Sequence, residues 1–259
     1  MVVKIGGSTL GSHDTTLEDL VELQRRGAPL AVIHGGGRTT TEWLGRLGLP
    51  TRFANGLRVT DGDSLKVVVA VLSGLLNKEL VVAIQALGGK AVGLSGSDGG
   101  LLRASVADTR LGYVGEVAGV DPSPLQLLLG AGYMPVVAPV SLGLMEGRTT
   151  LLNVNGDAAA GEIAAALAVP KLVFLSDVDG IHGEDGRVIA RLSISAAKQL
   201  VASGVASGGM LPKIAASFRA LTKVAEVRIV DGRSPHALLR ESKECGHERE
   251  TGGTTIVRD

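Results

Sequence analysis

The stretch Val2-Val3-Lys4-Ile5-Gly6-Gly7-Ser8 opens the chain with a short apolar strand that contains one lysine and runs into two glycines. Burying a lysine among apolar residues is costly unless an anion compensates its charge. Lys4 therefore either reaches solvent at the edge of a turn or meets an anion. Because glycine lets another group approach the backbone closely, the two glycines favour an anion held by backbone N–H groups.

Two further apolar strands also end in glycine-rich turns. Residues 29–33 run into His34-Gly35-Gly36-Gly37, and residues 91–94 run into residues 95–100. Helical patterns separate these strands, and the longest covers residues 63–87. Such alternation predicts an α/β fold, in which ligands bind at the carboxyl ends of parallel strands. We therefore expect the three glycine-rich turns to face one crevice.

Composition excludes several classes of function. The 259 residues carry no net charge at neutral pH, and only 2% of them are aromatic. A neutral chain with few aromatic rings has neither the basic surface nor the stacking platforms that bind nucleic acid, and nothing in it attracts anionic membranes.

One cysteine, Cys245, leaves no partner for an internal disulfide. No signal peptide opens the chain, and no apolar run reaches the roughly 20 residues of a membrane span. We expect a cytoplasmic protein without a membrane or nucleic-acid partner.

The segment Asn153-Val154-Asn155-Gly156-Asp157 is unusually polar for its place between an apolar strand and an Ala-rich helix over residues 158–168. If the segment is extended, Asn153, Asn155 and Asp157 point to one face. The alternative is a turn in which Asp157 caps the helix that follows.

A second polar signal is Gly208-Gly209-Met210-Leu211-Pro212-Lys213, a glycine pair before a predicted helix. Proline is common in a first helical turn, but a lysine there opposes the helix dipole. A phosphate shared between the N–H groups and Lys213 would resolve this conflict. The alternative is a solvated lysine.

Three other positions have chemistry that the sequence leaves open. Arg58 is either a surface residue paired with Asp61 or a fork for a substrate carboxylate. Ser176 and Asp177 end an apolar strand, where they could contact a ribose, a base or a metal. His34 is interpreted as a structural hydrogen-bonding residue, because the five histidines show no spacing typical of metal ligands.

Together the segments VVKIGGS, VIHGGG, NGLRVTD, NVNGDAAAG, FLSDVDGI and GGMLPKI resemble the amino-acid kinase superfamily in order and spacing. NGLRVTD is similar to the members that phosphorylate acetylglutamate. The resemblance covers essentially the whole chain and implies a three-layer αβα sandwich with a mainly parallel central sheet. Residues 1–168 would form the amino-acid-substrate lobe with the dimer interface, and residues 169–259 the nucleotide-binding lobe.

The same resemblance implies roles for the matching residues. Lys4 and Lys213 would contact the transferring phosphoryl group, and Asp157 would hold both lysines in place. No residue is expected to be a dedicated metal ligand. The remaining implied positions are Gly6, Gly7 and Gly36 as N–H donors, Gly35, Gly36, Arg58, Asn153 and Asn155 at the amino-acid substrate, and Gly6, Ser176, Asp177, Gly209 and Met210, with Lys4 and Lys213, at the nucleotide.

The implied reaction is transfer of a phosphoryl group from ATP, with Mg²⁺, to the γ-carboxylate of N-acetyl-L-glutamate in arginine biosynthesis. Alternatives are a kinase acting on a carrier-linked aminoadipate or glutamate, and a non-catalytic nucleotide-binding sensor. The resemblance also implies a homodimer built partly through residues 63–87. Arginine-sensitive members carry an additional N-terminal helix, so we expect this chain to be insensitive to arginine.

Overall fold

The structure is a computed structural model that describes residues 1–6, 15–54, 56–241 and 252–259. Strands and helices alternate along most of the chain, as the sequence predicts. In chain order the elements are β1 (Val2–Ile5), α1 (Thr16–Arg25), β2 (Ala31–His34), α2 (Gly37–Arg46), β3 (Phe53–Ala54), β4 (Leu57–Arg58), α3 (Gly62–Val69), a π-helical segment (Ala70–Leu76), α4 (Asn77–Ala86), β5 (Ala91–Ser95), β6 (Leu102–Val106), β7 (Val114–Val120), α5 (Ser123–Gly130), β8 (Met134–Ala138), β9 (Val140–Met145), β10 (Arg148–Val154), α6 (Gly156–Ala166), β11 (Lys171–Ser176), β12 (Arg191–Ser193), α7 (Ile194–Ala202), α8 (Met210–Ala220), β13 (Glu226–Asp231), α9 (Ala237–Glu241) and β14 (Thr254–Val257).

The central sheet has eight strands in the order β12-β14-β13-β11-β1-β2-β8-β5. The six strands from β13 to β5 are parallel to their neighbours, whereas β14 is antiparallel to β13. Strand β1 lies near the middle, between β11 and β2, so the loop after it lies at the centre of the carboxyl edge. The predicted mainly parallel sheet is therefore confirmed.

Each face of this sheet is covered by its own apolar core, as the alternation of side chains along β1 illustrates. Val2 belongs to the core formed with α5, α6, α7 and α8, whereas Val3 and Ile5 belong to the core formed with α1, α4 and α9. Successive residues of a strand point to opposite faces, which places Lys4 on the side of Val2 and α6. The arrangement is the predicted three-layer αβα sandwich.

A smaller group of strands, β6, β7, β9 and β10, pairs in a closed ring beside the main sheet. The parallel pairing of β10 with β7 sets Asn153 opposite Val114 at the end of this ring. The predicted division at residue 168 stays a prediction. Strand β11, from the second half, pairs directly with β1, from the first.

The predicted long helix over residues 63–87 is confirmed. It is a continuous helical stretch from Gly62 to Ala86, whose middle part is the π-helical segment. The stretch is 25 residues long and apolar enough, by length and composition alone, to cross a membrane. The expectation that no apolar run reaches the length of a membrane span is therefore not met by this stretch. Core helices meet the same criterion, and Leu80 and Ile84 of this helix are buried against the sheet.

Candidate active site

Two lysines that are 209 positions apart in the sequence meet at one buried carboxylate. Lys4 Nζ lies 2.7 Å from Asp157 Oδ1, and Lys213 Nζ lies 3.2 Å from Asp157 Oδ2. The contact between Lys4 and Asp157 Oδ1 is an ion pair, but its angles are not those of a hydrogen bond. All three side chains are largely buried, with exposed fractions of 9%, 14% and 8% for Lys4, Lys213 and Asp157. The anion expected beside Lys4 is therefore, within the protein, Asp157.

The start of α6 explains why Asp157 is available to both lysines. The N-cap of this helix is Asn155, whose Oδ1 accepts hydrogen bonds from the N–H groups of Asp157 at 2.9 Å and Ala158 at 3.1 Å. The alternative in which Asp157 caps the helix is therefore wrong. Asp157 lies in the first turn instead, where the helix dipole favours a negative charge and the carboxylate does not have to bond the backbone.

Lys213 comes from the first turns of α8, which begins at Met210 with Gly209 as its N-cap. Its Nζ also lies 3.4 Å from the carbonyl oxygen of Gly209. A lysine near a helix N-terminus opposes the dipole, and the contact with Asp157 compensates this conflict. The alternative of a solvated lysine at position 213 is contradicted by its burial.

The electrostatics of this trio leave an excess of positive charge. Burial opposes ionisation of Asp157, but Lys4 and Lys213 outweigh it and hold the pKa of this carboxyl below its ordinary value. Asp157 is thus an anion at neutral pH, shared by two cations. One anion between two cations leaves a net charge of +1, which suits a negatively charged guest.

The glycine-rich loop after β2 offers backbone donors next to the trio. The N–H groups of Gly36 and Gly37 donate no hydrogen bond to any residue that the structure describes, and both glycines line a cavity. Gly37 is also the first residue of α2, whose N-terminus carries a partial positive charge. These two N–H groups are therefore suited to hold anionic oxygens.

Two other predicted site glycines, Gly6 and Gly35, use their N–H groups within the sheet. The N–H of Gly6, which we expected in the anion cradle, donates to Leu175 O at 3.1 Å, and that of Gly35 donates to Ile5 O at 3.0 Å. Both bonds extend the ladder of the sheet, so these N–H groups do not point at a ligand. Gly7, the third predicted donor, lies outside the described residues.

The cavity beside the glycines is lined by two predicted substrate residues, Arg58 and Asn153. Arg58 Nη2 donates to Gly37 O at 2.9 Å and to Thr41 Oγ1 at 2.7 Å, and the guanidinium lies 4.7 Å from the centre of the Phe53 ring. Nη1 has only a long contact with an oxygen, of 3.4 Å. The guanidinium is therefore held in place while part of its fork faces the cavity.

Two residues close to Arg58 in the sequence, Asp61 and Thr60, have different roles. Asp61, the alternative partner of Arg58, caps α3 instead by accepting a hydrogen bond from the Ser64 N–H at 2.8 Å. Thr60, which sequence reasoning missed, is fully buried, donates to Arg58 O at 2.9 Å and lies 3.3 Å from Asn153 Nδ2. One hydroxyl thus joins the two strands that carry Arg58 and Asn153.

The predicted nucleotide-binding residues lie at the same carboxyl edge of the sheet. Ser176 ends β11, one residue beyond the partner of Ile5 in β1, and Asp177 follows it on the exposed surface. Gly209 and Met210 lie at the N-terminus of α8 near Lys213. Within the described ranges no group of three or more His, Cys, Asp or Glu side chains could hold a metal ion.

His34 has the structural role that the sequence indicates, and it reveals a residue that sequence reasoning missed. The ring is buried, with Nδ1 2.8 Å from Gly35 O and Nε2 3.2 Å from Nδ2 of the buried Asn77. Burial, with smaller contributions from Lys4 and Lys78, lowers the pKa of His34 to about 4 despite the hydrogen bond to Gly35. The imidazole is therefore neutral at neutral pH. In the sequence, Asn77 is marked only as the first residue of the polar group Asn77-Lys78-Glu79 within a mostly apolar helical stretch.

Comparison with known proteins agrees with this geometry. The family model described as the amino acid kinase family matches residues 1–231. An acetylglutamate kinase of Dehalococcoides mccartyi strain 195 is 44% identical over 262 residues, covering 99% of this chain and 94% of that protein.

Solved structures agree as well. The crystal structure of smu.665 from Streptococcus mutans UA159 is 27% identical with a TM-score of 0.81, covering 100% of this chain and 98% of the other. An N-acetylglutamate synthase of Neisseria gonorrhoeae, solved with coenzyme A and N-acetyl-glutamate, is 27% identical with a TM-score of 0.83; the match covers 100% of this chain but 59% of the synthase. The chain therefore belongs to the amino acid kinase family, in which it resembles the acetylglutamate kinases over its whole length.

Proposed function

We propose that this protein transfers the γ-phosphoryl group of ATP to the γ-carboxylate of N-acetyl-L-glutamate, forming N-acetyl-L-glutamyl 5-phosphate in arginine biosynthesis. The observation that carries this proposal is the pair of lysines, Lys4 and Lys213, on the two oxygens of Asp157. The 44% identity to acetylglutamate kinases supports the choice of substrate.

The acceptor group explains why the site needs cations more than a base. A side-chain carboxylate has a pKa of about 4.3 and is already ionised at neutral pH, so no residue has to remove a proton from it. The barrier comes from bringing this anion to a polyanionic phosphate. Lys4 and Lys213 would stabilise the charge that spreads over the equatorial oxygens, and the N–H groups of Gly36 and Gly37 would add donors.

The amino-acid substrate would lie in the cavity between the glycine-rich loop and β10. Both hydrogens of Arg58 Nη2 are used by Gly37 O and Thr41 Oγ1, so Arg58 would bind a carboxylate through Nη1, and the amide of Asn153 can add a donor to the same group. We assign both side chains to the α-carboxylate, which leaves the γ-carboxylate free to extend toward Gly36 and the lysines. Asn155 contributes through the backbone, because its side chain is used as the cap of α6.

The nucleotide would bind along β11 and the N-terminus of α8, with Ser176, Asp177, Gly209 and Met210 at its border. Mg²⁺ is usually held by one or two carboxylates together with the phosphates of the substrate, not by a cage of protein ligands. This chain fits that pattern, because the Asp157 carboxylate is engaged by two lysines and the described residues offer no metal cluster. Mg²⁺ would therefore reach the site bound to the phosphates of ATP.

Two alternatives remain to be separated from this proposal. A kinase for a carrier-linked aminoadipate or glutamate would not accept free N-acetyl-L-glutamate. A non-catalytic nucleotide-binding sensor would bind ATP without consuming it; likeness to a synthase shows that this fold also occurs in proteins of another activity. The retained lysine–aspartate–lysine arrangement favours catalysis over sensing.

One coupled assay of ADP release distinguishes these possibilities. We expect turnover with N-acetyl-L-glutamate and much less with glutamate, aspartate or carbamate, because only the first presents a free α-carboxylate, an acylated nitrogen and a γ-carboxylate together. ADP release with none of these substrates would contradict the proposal, and release with a carrier-linked substrate alone would support the carrier-linked alternative.

We also propose that the protein is a cytoplasmic homodimer that pairs through the helical stretch from Gly62 to Ala86. The most apolar part of this stretch is only 33% buried, and Val82 of α4 is 64% exposed, so a large apolar surface lacks a cover. Val82→Glu should dissociate the dimer in light scattering after gel filtration. Leu127→Glu, at an exposed leucine of α5, should leave the dimer intact. A Val82→Glu protein that remains dimeric would exclude this interface.

A further inference from the structure

Asn77 is a buried polar residue that the proposed chemistry does not use, and its hydrogen bonds reach three strands. Its Nδ2 lies 3.2 Å from His34 Nε2, 3.2 Å from Leu94 O and 2.9 Å from Val136 O. Lys78 Nζ donates to Asn77 Oδ1 at 3.0 Å, which identifies the other atom of the amide as the nitrogen. Nδ2 has two hydrogens for these three acceptors, so one hydrogen is shared between two of them, and the amide joins β2, β5 and β8 to the helix.

These contacts determine the protonated form of the His34 ring. An amide nitrogen can only donate, so His34 Nε2 accepts the hydrogen bond from Asn77. The Gly35 carbonyl can only accept, so His34 Nδ1 carries the proton and donates to it at 2.8 Å. Asn77, His34 and Gly35 thus form a chain of hydrogen bonds from the helix to the glycine-rich loop.

The π-helical segment brings the helix onto the same loop. The N–H of Asn77 bonds to Leu72 O, five residues back, which is the hydrogen bond that defines a π turn. Residues five apart then share a face, so Leu72 and Asn77 both point toward the loop. A Cβ built on Gly36 would lie 2.5 Å from Leu72 Cδ2 and 2.4 Å from Leu76 Cδ1. The π turn therefore packs on Gly36 while Asn77 reaches His34.

We propose that Asn77 is a positioning residue that, through His34, fixes the peptide between Gly35 and Gly36 so that the Gly36 N–H points into the cavity. The C=O and the N–H of a planar trans peptide point in opposite directions. Holding the Gly35 carbonyl against the buried imidazole therefore turns the Gly36 N–H away from the core. The expected effect on turnover rests on the proposed function, in which the Gly36 N–H would bind the migrating phosphoryl group.

The charged groups around His34 favour the same form of the ring. Lys4 of β1 and Lys78 of α4 both act against a proton on the second ring nitrogen, in addition to the effect of burial. Without the Asn77 donor, His34 could adopt the other neutral form, with the proton on Nε2. Nδ1 would then repel the Gly35 carbonyl, and the peptide would be free to turn over.

Two measurements test the proposal on the full chain. In wild-type protein labelled with nitrogen-15 histidine, NMR should show His34 as the neutral form protonated at Nδ1 from about pH 5.5 upward, with His34→Asn used to assign the resonances. In Asn77→Ala, this form should lose population and the Gly36 amide resonance should move. We expect kcat to fall about tenfold or more while both KM values change less than about threefold, because misaiming one donor mainly affects the transition state.

Gln85→Ala is the matched control, because Gln85 also bonds a strand carbonyl from α4, Ala91 O at 3.3 Å, without contacting the loop. It should keep wild-type kcat. An Asn77→Ala protein with kcat within twofold of wild type, or a wild-type His34 protonated at Nε2, would overturn the proposal; the second result decides even if Asn77→Ala does not fold. If the wild type shows no turnover of N-acetyl-L-glutamate, the proposed function fails, while the NMR measurements still decide whether Asn77 orients His34 and the Gly36 N–H.

Discussion

Gly161 of α6 lies so close to Ala216 of α8 that a Cβ at position 161 would lie 2.5 Å from the Ala216 carbonyl oxygen. The two helices can approach to this distance only because residue 161 has no side chain. Asp157 lies about one turn before this crossing on α6, and Lys213 lies about one turn before it on α8. The crossing therefore determines how near the carboxylate and the lysine can come.

Replacing Gly161 with alanine should separate the two helices and weaken the contact between Asp157 and Lys213. We expect a loss of about 1–3 kcal/mol in the free energy of unfolding, because backbone atoms cannot move aside as a flexible side chain can. A drop in kcat should accompany it. Urea unfolding and the ADP-release assay measure the two effects.

Gly45→Ala provides the control for this substitution. Gly45 lies in α2, and a Cβ added to it would have no other atom within 4 Å, so alanine there should stabilise the protein by about 0.5–1 kcal/mol. Equal stability of the Gly161→Ala protein and the wild type would mean that the helices tolerate a wider spacing.

Removing either lysine of the trio should reduce turnover far more than stability. Lys4→Ala and Lys213→Ala should each lower kcat about 100-fold or more, by analogy with the loss of one preorganised charge stabiliser. Lys66→Ala removes an exposed lysine whose partner, Asp63, is also exposed, and should leave kcat unchanged. Near-normal turnover in Lys4→Ala or in Lys213→Ala would exclude the replaced lysine from the proposed mechanism.

Arg58→Lys should raise the KM for the amino acid while the KM for ATP stays near the wild-type value. A lysine is a point charge that cannot keep both contacts to Gly37 O and Thr41 while it also donates to a carboxylate, as Arg58 can with Nη1. Arg38→Lys is the control, because the Arg38 side chain is 78% exposed and pairs, among the described residues, with Glu42 of its own helix alone. An unchanged KM for the amino acid would exclude Arg58 from the substrate site.

Thr60→Val tests whether one buried hydroxyl organises the substrate cavity. Valine keeps the shape of threonine but leaves Arg58 O and Asn153 Nδ2 without their shared partner. We expect the KM for the amino acid to rise several-fold, and Thr60→Ser, which restores the hydroxyl, to return it toward wild type. If serine and valine have the same effect, Thr60 acts through packing alone.

The order of helices and strands was predictable because it depends on the local periodicity of apolar residues and on glycines at the ends of the elements. The predicted strand over residues 91–94 and the predicted helix over residues 63–87 agree within one residue at each end with β5 and with the helical stretch from Gly62 to Ala86. The π-helical segment was not predictable, since nothing in the run from Val67 to Leu76 distinguishes i+5 from i+4 bonding before the tertiary contacts form. The same holds for the ring of β6, β7, β9 and β10, whose closure depends on pairing between distant segments.

The candidate site divides in the same way. Lys4 and Lys213 violate local rules, one in an apolar strand and one at a helix N-terminus, so sequence alone marked them as unusual. Sequence alone left open whether Asp157 points from an extended segment or caps the helix, and it did not identify Asn155 as the cap, because aspartate and asparagine both cap helices well. The capture of Asp157 by two lysines decided it. Asn77 and Thr60 act through partners 43 and 93 positions away, which no local pattern encodes.

His34 should make the protein less stable as the pH falls from about 6.5 to about 4. Its pKa is lowered from 6.5 to about 4 in the folded protein, chiefly by burial. Between these values the unfolded chain binds a proton that the folded protein does not, so the free energy of unfolding decreases with falling pH, by up to about 3 kcal/mol from this residue.

In His34→Asn the amide nitrogen takes the place of Nδ1 and can still donate to Gly35 O, but it does not titrate. Urea unfolding across this range should therefore show a flatter pH dependence for His34→Asn than for the wild type. Parallel curves for His34→Asn and the wild type would mean that the buried imidazole does not cause the loss of stability in acid.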